Sequence, residues 1–406
     1  MKHRDHRKDT TVAASPGVPD GIPVHARPSP KSKAPGREPD SRPGKAISGS
    51  QFRDSGTRNP EPAIRNQSDP EYRAFAAQAV LERLKRVARE LDGVRSGSDI
   101  EYVHRMRVAS RRLRTALRLF EKCFPGKPFR RWQKELRAIT RALGRARALD
   151  VQIEFVRAFE SAGRDARFRP GVKRLLLRLS QKRERAQRKV LKWLADFGAS
   201  GVSEKMTAAL SPLVTQGAGR VPPAELREDA RNWIQRGADE LLEYESYVTR
   251  PRANEELHAM RIAAKHLRYT LEVFEPLFAE EGRTSSRLRV PRSEKNGTRN
   301  PEPGTRSSLH AALEAAKMVQ SLLGTLHDCD VWLELLPRFL ERESKRSLDF
   351  HGQHRAFRRL VPGIEHFRLS VVRLRRRTYR EFAACWQEIR HDRVWESLSA
   401  TVRGET

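Results

Sequence analysis

Five basic side chains recur at helical spacing between Val103 and Phe120: His104, Arg107, Arg111, Arg114 and Arg118. At about 100° per residue they fall within an arc of roughly 80°. Such a row can hold the oxygens of an anion by charge and by the forked N–H groups of guanidinium, with no cofactor. The imidazole of His104 can also donate to a phosphate oxygen. The plain alternative is a solvated face, but that arrangement favours Glu partners four residues on, and many of these bases lack one. An unneutralised row of like charges costs stability, so the spacing points to an anion as its partner.

The row returns. His258, Arg261, Lys265 and Arg268 repeat four of the five positions 154 residues later, while Glu272 stands where Arg118 would recur. Beside each row runs an apolar one: Val103, Met106, Ala109, Leu113, Ala116, Leu117 and Phe120 in the first copy, and Leu257, Met260, Ala263, Leu267, Leu271 and Phe274 in the second. Over the 18 aligned positions 8 are identical. Two helices that keep both an apolar and a cationic stripe indicate an internal repeat.

These two stretches, VHRMRVASRRLRTALRLF and LHAMRIAAKHLRYTLEVF, resemble the signature helices of the CHAD family, the conserved histidine α-helical domains. The shared pattern is His, Arg three residues on, a basic residue four further, then Leu-x-x-x-Leu-x-x-Phe. The resemblance covers roughly residues 70–395. It implies two helical halves related by a pseudo-twofold axis with a basic channel between them. It also implies a polyphosphate surface that includes His104 and His258.

Further basic positions join the candidate surface: Arg137 and Arg141 after the first signature, and Lys317 after the second. Other stripes include Arg145, Arg178, Lys182, Arg185, Lys189, Arg373, Arg376 and Arg380, and their spacing alone does not say which share a surface. His327, Asp328 and Asp330 form the one sequence cluster with metal-ligand types, but no distant partner completes it. An orienting role is the better expectation, with no metal and no other cofactor. The matching stretch of the first half has Arg147, Ala148 and Asp150, where the family usually has an acid at the Ala148 position. No phosphate-binding P-loop, HExxH or G-x-S-x-G motif occurs. The ExExK strand of the triphosphatase domain often fused to this family is also missing, since EYESY at 243–247 lacks the Lys. The chain therefore reads as a non-enzyme.

The elements that must position these rows are helices. Ala76, Val80, Leu84, Val87 and Leu91 predict an amphipathic helix ending before Gly93. Ser98 and Glu101 form a capping box that starts the first signature helix near Asp99. A helix from about Phe129 runs into LGRARALDV, with a separate short segment at 153–159. A basic helix follows over about 171–197, with Leu175, Leu179, Ala186, Val190 and Trp193 on its buried side. Residues 198–222, rich in Gly, Ala, Ser and Pro, read as a linker. The order then restarts with a helix over 224–248, the second signature, a helix over 309–326 running into LGTLHDCDV, a short helix at 332–340 and a basic one over about 356–389. With no strand-like alternation, the expected fold is all-α: two similar helical bundles, about 69–200 and 223–396, within one domain over 69–396. Residues 1–68, which hold 11 of the 24 prolines together with Pro70, predict a disordered tail. Residues 281–308 predict a disordered insertion, and their GTRNPEP copies residues 56–62 letter for letter.

The chain carries a net charge of +30, of which the tail holds only 13 basic against 7 acidic residues. The surplus belongs to the helical part and points to a polyanionic partner. Inorganic polyphosphate, implied by the resemblance, needs no base recognition. Nucleic acid is the rival, but single-strand binders use aromatic platforms, and aromatics are 7% of this chain. A metal-dependent phosphohydrolase is the third reading. No apolar run reaches membrane-spanning length and no signal peptide is visible, which predicts a cytoplasmic protein, on polyphosphate granules by family analogy. Cys123, Cys329 and Cys385 have no paired spacing and read as small apolar residues.

Overall fold

The structure, a computed structural model, describes residues 69–97, 99–163, 165–217, 221–279 and 305–404. The expected tail lies outside these residues, as does the expected insertion up to residue 304. Among the described residues every regular element is helical. They are α1 (Pro70–Arg89), α2 (Leu91–Ser96), α3 (Ile100–Leu119), α4 (Lys127–Ala162), α5 (Arg169–Ser200), α6 (Val202–Gln216), α7 (Ala224–Leu242), α8 (Asn254–Ala279), α9 (Thr305–His351), α10 (Arg355–Arg358), α11 (Val361–His391) and α12 (Val394–Arg403). None is long and apolar enough to cross a membrane.

The signature stretches lie on α3 and α8. Asp99 caps α3: its carboxylate accepts from the Glu101 amide at 2.9 Å, while Ser98 of the expected capping box lies outside the described residues. That satisfies one of the orphan donors of the first turn. Asp69 caps α1 in the same way through Glu71 and Tyr72.

Three expectations are corrected. Residues 198–222 are not a linker, because α6 fills 202–216 and packs along α1. Val202, Met206 and Leu210, four apart, bury one face of it. The short segments expected at 153–159 and 332–340 are not separate elements. α4 runs unbroken for 36 residues and α9 for 47, and each absorbs the short segment expected after it. The buried set Leu143, Ala146, Ile153 and Val156 keeps one phase through the LG motif, and its packing outweighs the roughly 1 kcal/mol a mid-helix glycine costs. Trp193 is 39% exposed, and Leu194 takes the buried place.

The order of packing frames the site. α3 lies between α1 and α4, α4 runs back along α5, and α6 returns to α1. α8 lies between α7 and α9, α9 runs back along α11, and α12 returns to α7. α3 touches α8 directly, and Phe120 meets Phe274 edge to face at 5.9 Å. This contact sits in one large apolar core, while a smaller core far along the long helices joins Val156, Leu175, Trp332, Phe339, Ile364 and Phe367. There α5 and α11 cross at their starts. A methyl on Gly171 would lie 2.2 Å from the Leu360 carbonyl oxygen, and one on Gly363 2.1 Å from that of Phe168. Only glycine permits backbones this close.

Candidate anion-binding site

The α3–α8 contact brings the two basic rows together. Lys265 of α8 is 8% exposed and lies in the field of Arg107, Arg111 and Arg118 of α3 and of its own neighbour Arg261. Burial first, and these like charges next, push its ammonium down to about 7. Arg107 is lowered to about 10, again by desolvation first and then by Arg111, Arg261 and Arg114. Arg261 is lowered by desolvation and then by Arg111, and its buried Nε has no hydrogen-bond partner. Cations from two helices thus share a partly dehydrated space and act on one another.

Arg107 owes its position to the first LG motif. Its guanidinium lies over Gly144, where a methyl would stand 2.4 Å from Nη1, and that nitrogen donates to the Thr140 carbonyl at 3.4 Å. The matching Gly324 has nothing within 4 Å of the same point.

Tyr269 supplies a fixed ring between the helices. Arg111 and Arg112 of α3 and Arg268 of α8 lie 5.8, 5.9 and 5.8 Å from its centre. Glu272 locks this corner. It accepts a forked pair from Arg112 at 2.6 and 2.8 Å and a third bond from Arg268 at 3.0 Å. Burial alone would raise its carboxyl, but the two guanidiniums hold it below the usual range. The non-recurring position of the signature is therefore a clamp between helices.

The remaining basic candidates separate into two environments. Arg114, Arg137 and Arg141 are exposed, and Arg114 is lowered by desolvation and then by Arg137, Arg111, Arg141 and Arg118. Lys317, by contrast, is held by Glu314 at 2.6 Å. Arg118 also acts on Glu240 of α7, which receives His266 at 3.6 Å.

The signature histidines differ in their surroundings. His258 and His327 approach through their Nδ1 atoms at 3.0 Å. His327 is pushed down to about 4 by burial, Arg261 and His258, and His258 is lowered by burial, Arg261 and Lys265. His104 instead is lowered by burial and then by Arg147. Arg147 occupies the position in its helix that His327 occupies in α9, and it reaches Glu101 and Glu154 at 3.4 and 3.6 Å. Asp330 is engaged by Arg375 of α11 at 2.6 Å, and that guanidinium also reaches the Pro251 carbonyl and Asn254. The matching Asp150 is engaged by Arg183 of α5. These aspartates fasten the long helices to one another. Among the described residues no three His, Cys, Asp or Glu side chains are placed to hold a metal ion.

Sequence reasoning missed Tyr269, the Arg112–Glu272 clamp and the role of Gly144. The glycine was visible in the repeated LG pair. The clamp was not, because Arg112 lies off the cationic stripe and its partner is 160 residues away.

The CHAD domain family model matches residues 78–289, just over half of the chain, and both signature helices fall within that span. No curated protein matches the chain. Among solved structures, the crystal structure of the CHAD domain from the plant Ricinus communis is similar at 22% identity and a TM-score of 0.48, over 81% of this chain and 91% of that one. On the family match and the two helices it spans, this chain belongs to the CHAD domain family.

Proposed function

We propose that this protein binds inorganic polyphosphate, without transforming it, on the cationic surface where α3 and α8 meet. The observation that carries this reading is the convergence of Arg107 and Arg111 of α3 with Arg261 and Lys265 of α8, close enough for their charges to act on one another. Guanidiniums that are partly dehydrated and lie in one another's field, as Arg107 and Arg261 do, favour a ligand that brings negative charge to them. A flexible row of phosphates fits such a surface, because it offers oxygens at short intervals and has no bases to stack. Tyr269 does not offer a stacking platform: it is 5% exposed and crowded by guanidiniums.

The site is read as a duplicated one, two halves about a pseudo-twofold axis with a basic groove between them. Reciprocal contacts support this. Phe120 touches its own counterpart Phe274. Gly171 faces Leu360 while Gly363 faces Phe168, each pair the mirror of the other. An interface in which residue i meets j and j meets i is the mark of twofold symmetry. The proposed setting is the cytoplasm, on polyphosphate granules.

Competition tests the ligand. Long-chain polyphosphate should displace single-stranded DNA at equal charge concentration, and incubation with a divalent metal should release no orthophosphate. DNA that competes equally or better would favour the nucleic-acid reading, and released orthophosphate would make the protein a hydrolase.

A further inference from the structure

The surroundings of α3 and α8 differ in charge along the faces that lead away from their contact. On α4, Lys134, Arg137, Arg141 and Arg145 are exposed and spaced to form one stripe. Arg114 of α3 lies in the field of Arg137 and Arg141. Among the described residues no carboxylate pairs with Arg114, Arg137 or Arg141, and the one side-chain partner of Arg137 is the neutral Gln133. The stripe at the same phase of α9 has Glu314, Lys317, Ser321 and Thr325 in the corresponding places. Arg268, which corresponds to Arg114, is bound to Glu272, and Lys317 is bound to Glu314. One arm is an uninterrupted cationic track. The other is formally neutral along the same four positions, and its two bases already hold carboxylates.

We propose that the bound polyanion leaves the α3–α8 centre in one direction, over the α3–α4 face past Arg114, Arg137 and Arg141, and does not follow the α8–α9 face. This rests on the reading of the centre as a polyphosphate site. The physical reason is competition. A phosphate arriving at Arg268 or Lys317 must displace an intramolecular carboxylate and then lie beside it, whereas along α4 each step meets another cation. Phosphate contacts that release counterions set affinity and its salt dependence. They are therefore concentrated on the centre and on one arm. The chain is held as a strand that starts in the middle of the molecule and exits on one side.

Matched charge reversals test this, with full-length protein and long-chain polyphosphate. The altered side chains of the two arms are exposed or half-buried, and circular dichroism checks that the helices persist in every variant. Arg137→Glu with Arg141→Glu should weaken binding about tenfold or more at low salt, and flatten the log–log salt slope by roughly 1.4 for two lost contacts. The corresponding Lys317→Glu with Ser321→Glu should change affinity by less than about threefold, because no phosphate is held there. The gain-of-charge variant Glu314→Lys with Ser321→Arg should raise affinity by opening the second arm. Equal losses from the two reversals would overturn the one-sided path. The centre is tested apart from it by Arg107→Glu with Arg111→Glu. If that variant binds normally, the polyphosphate site itself is misplaced. If it loses binding while the two arms behave alike, only the direction is wrong.

Discussion

Phe120 and Phe274 meet edge to face with their ring centres 5.9 Å apart, and each closes the same 18-residue pattern. The pattern ends where the two helices touch. That contact fixes the rest of α3 and α8, so bases placed three and four residues apart on each helix face a shared space. Apolar and cationic stripes thus have separate tasks, one joining the helices and the other presenting charge.

The clamp at Glu272 should matter to stability more than to ligand. Glu272→Gln keeps the shape but leaves Arg112 and Arg268 without their counter-charge, and should cost about 2–3 kcal/mol in urea unfolding. The carboxyl is held below its ordinary 4.5 in the folded chain. Its contribution is therefore complete above the unfolded value and lost as pH falls through the lower folded one. Wild type should lose stability over that acid window, and the Gln variant should lose less.

Lys265, at about 7, makes binding depend on pH. An anion beside it favours the ammonium, so binding should take up a proton at pH 8 and affinity should rise as pH falls toward 7, levelling below. Calorimetry in buffers of different ionisation enthalpy would read the uptake, and Lys265→Arg should abolish it. Without ligand the sign is reversed for folding. The unfolded chain binds the proton more tightly, so stability should rise with pH from about 7 toward 10.

The two LG glycines should respond differently to alanine. At Gly144 the new methyl strikes the tip of Arg107, a flexible side chain that moves aside, so the fold survives and polyphosphate affinity falls. At Gly324 nothing stands in the way, so affinity should hold while stability rises by up to about 1 kcal/mol from helix propensity. Thermal unfolding and a binding titration on each variant separate the two effects.

The helix-start crossing is backbone against backbone. Gly171→Ala or Gly363→Ala should each cost about 1–3 kcal/mol, since a carbonyl oxygen rather than a side chain must yield. A variant of either kind as stable as wild type in urea would mean that the crossing is looser than described.

Much of this was legible in the sequence because helical periodicity is local. The stripes of α3 and α8, and the start of α3, follow from spacing alone. Where helices stop was harder. The stretches at 153–159 and 332–340 read as separate short segments, but Leu143, Ala146 and Val156 continue one buried face through the first of them, and packing decided the matter. α6 was hidden by its Gly- and Ser-rich borders, although Val202, Met206 and Leu210 carried its phase. Ion pairs between distant helices, such as Arg112 with Glu272 and Arg375 with Asp330, leave no local trace.

The central claim is that cations from both helices grip one polyphosphate chain. Its most direct test is the affinity of Arg111→Glu with Lys265→Glu, one change on each side of the shared space, for long-chain polyphosphate across a range of salt. The account predicts a folded protein whose affinity falls by about a hundredfold or more at low salt and whose log–log salt slope flattens by roughly 0.7 per lost contact. A folded variant with wild-type affinity and an unchanged slope would contradict it, and the paired rows of α3 and α8 would then be no binding surface.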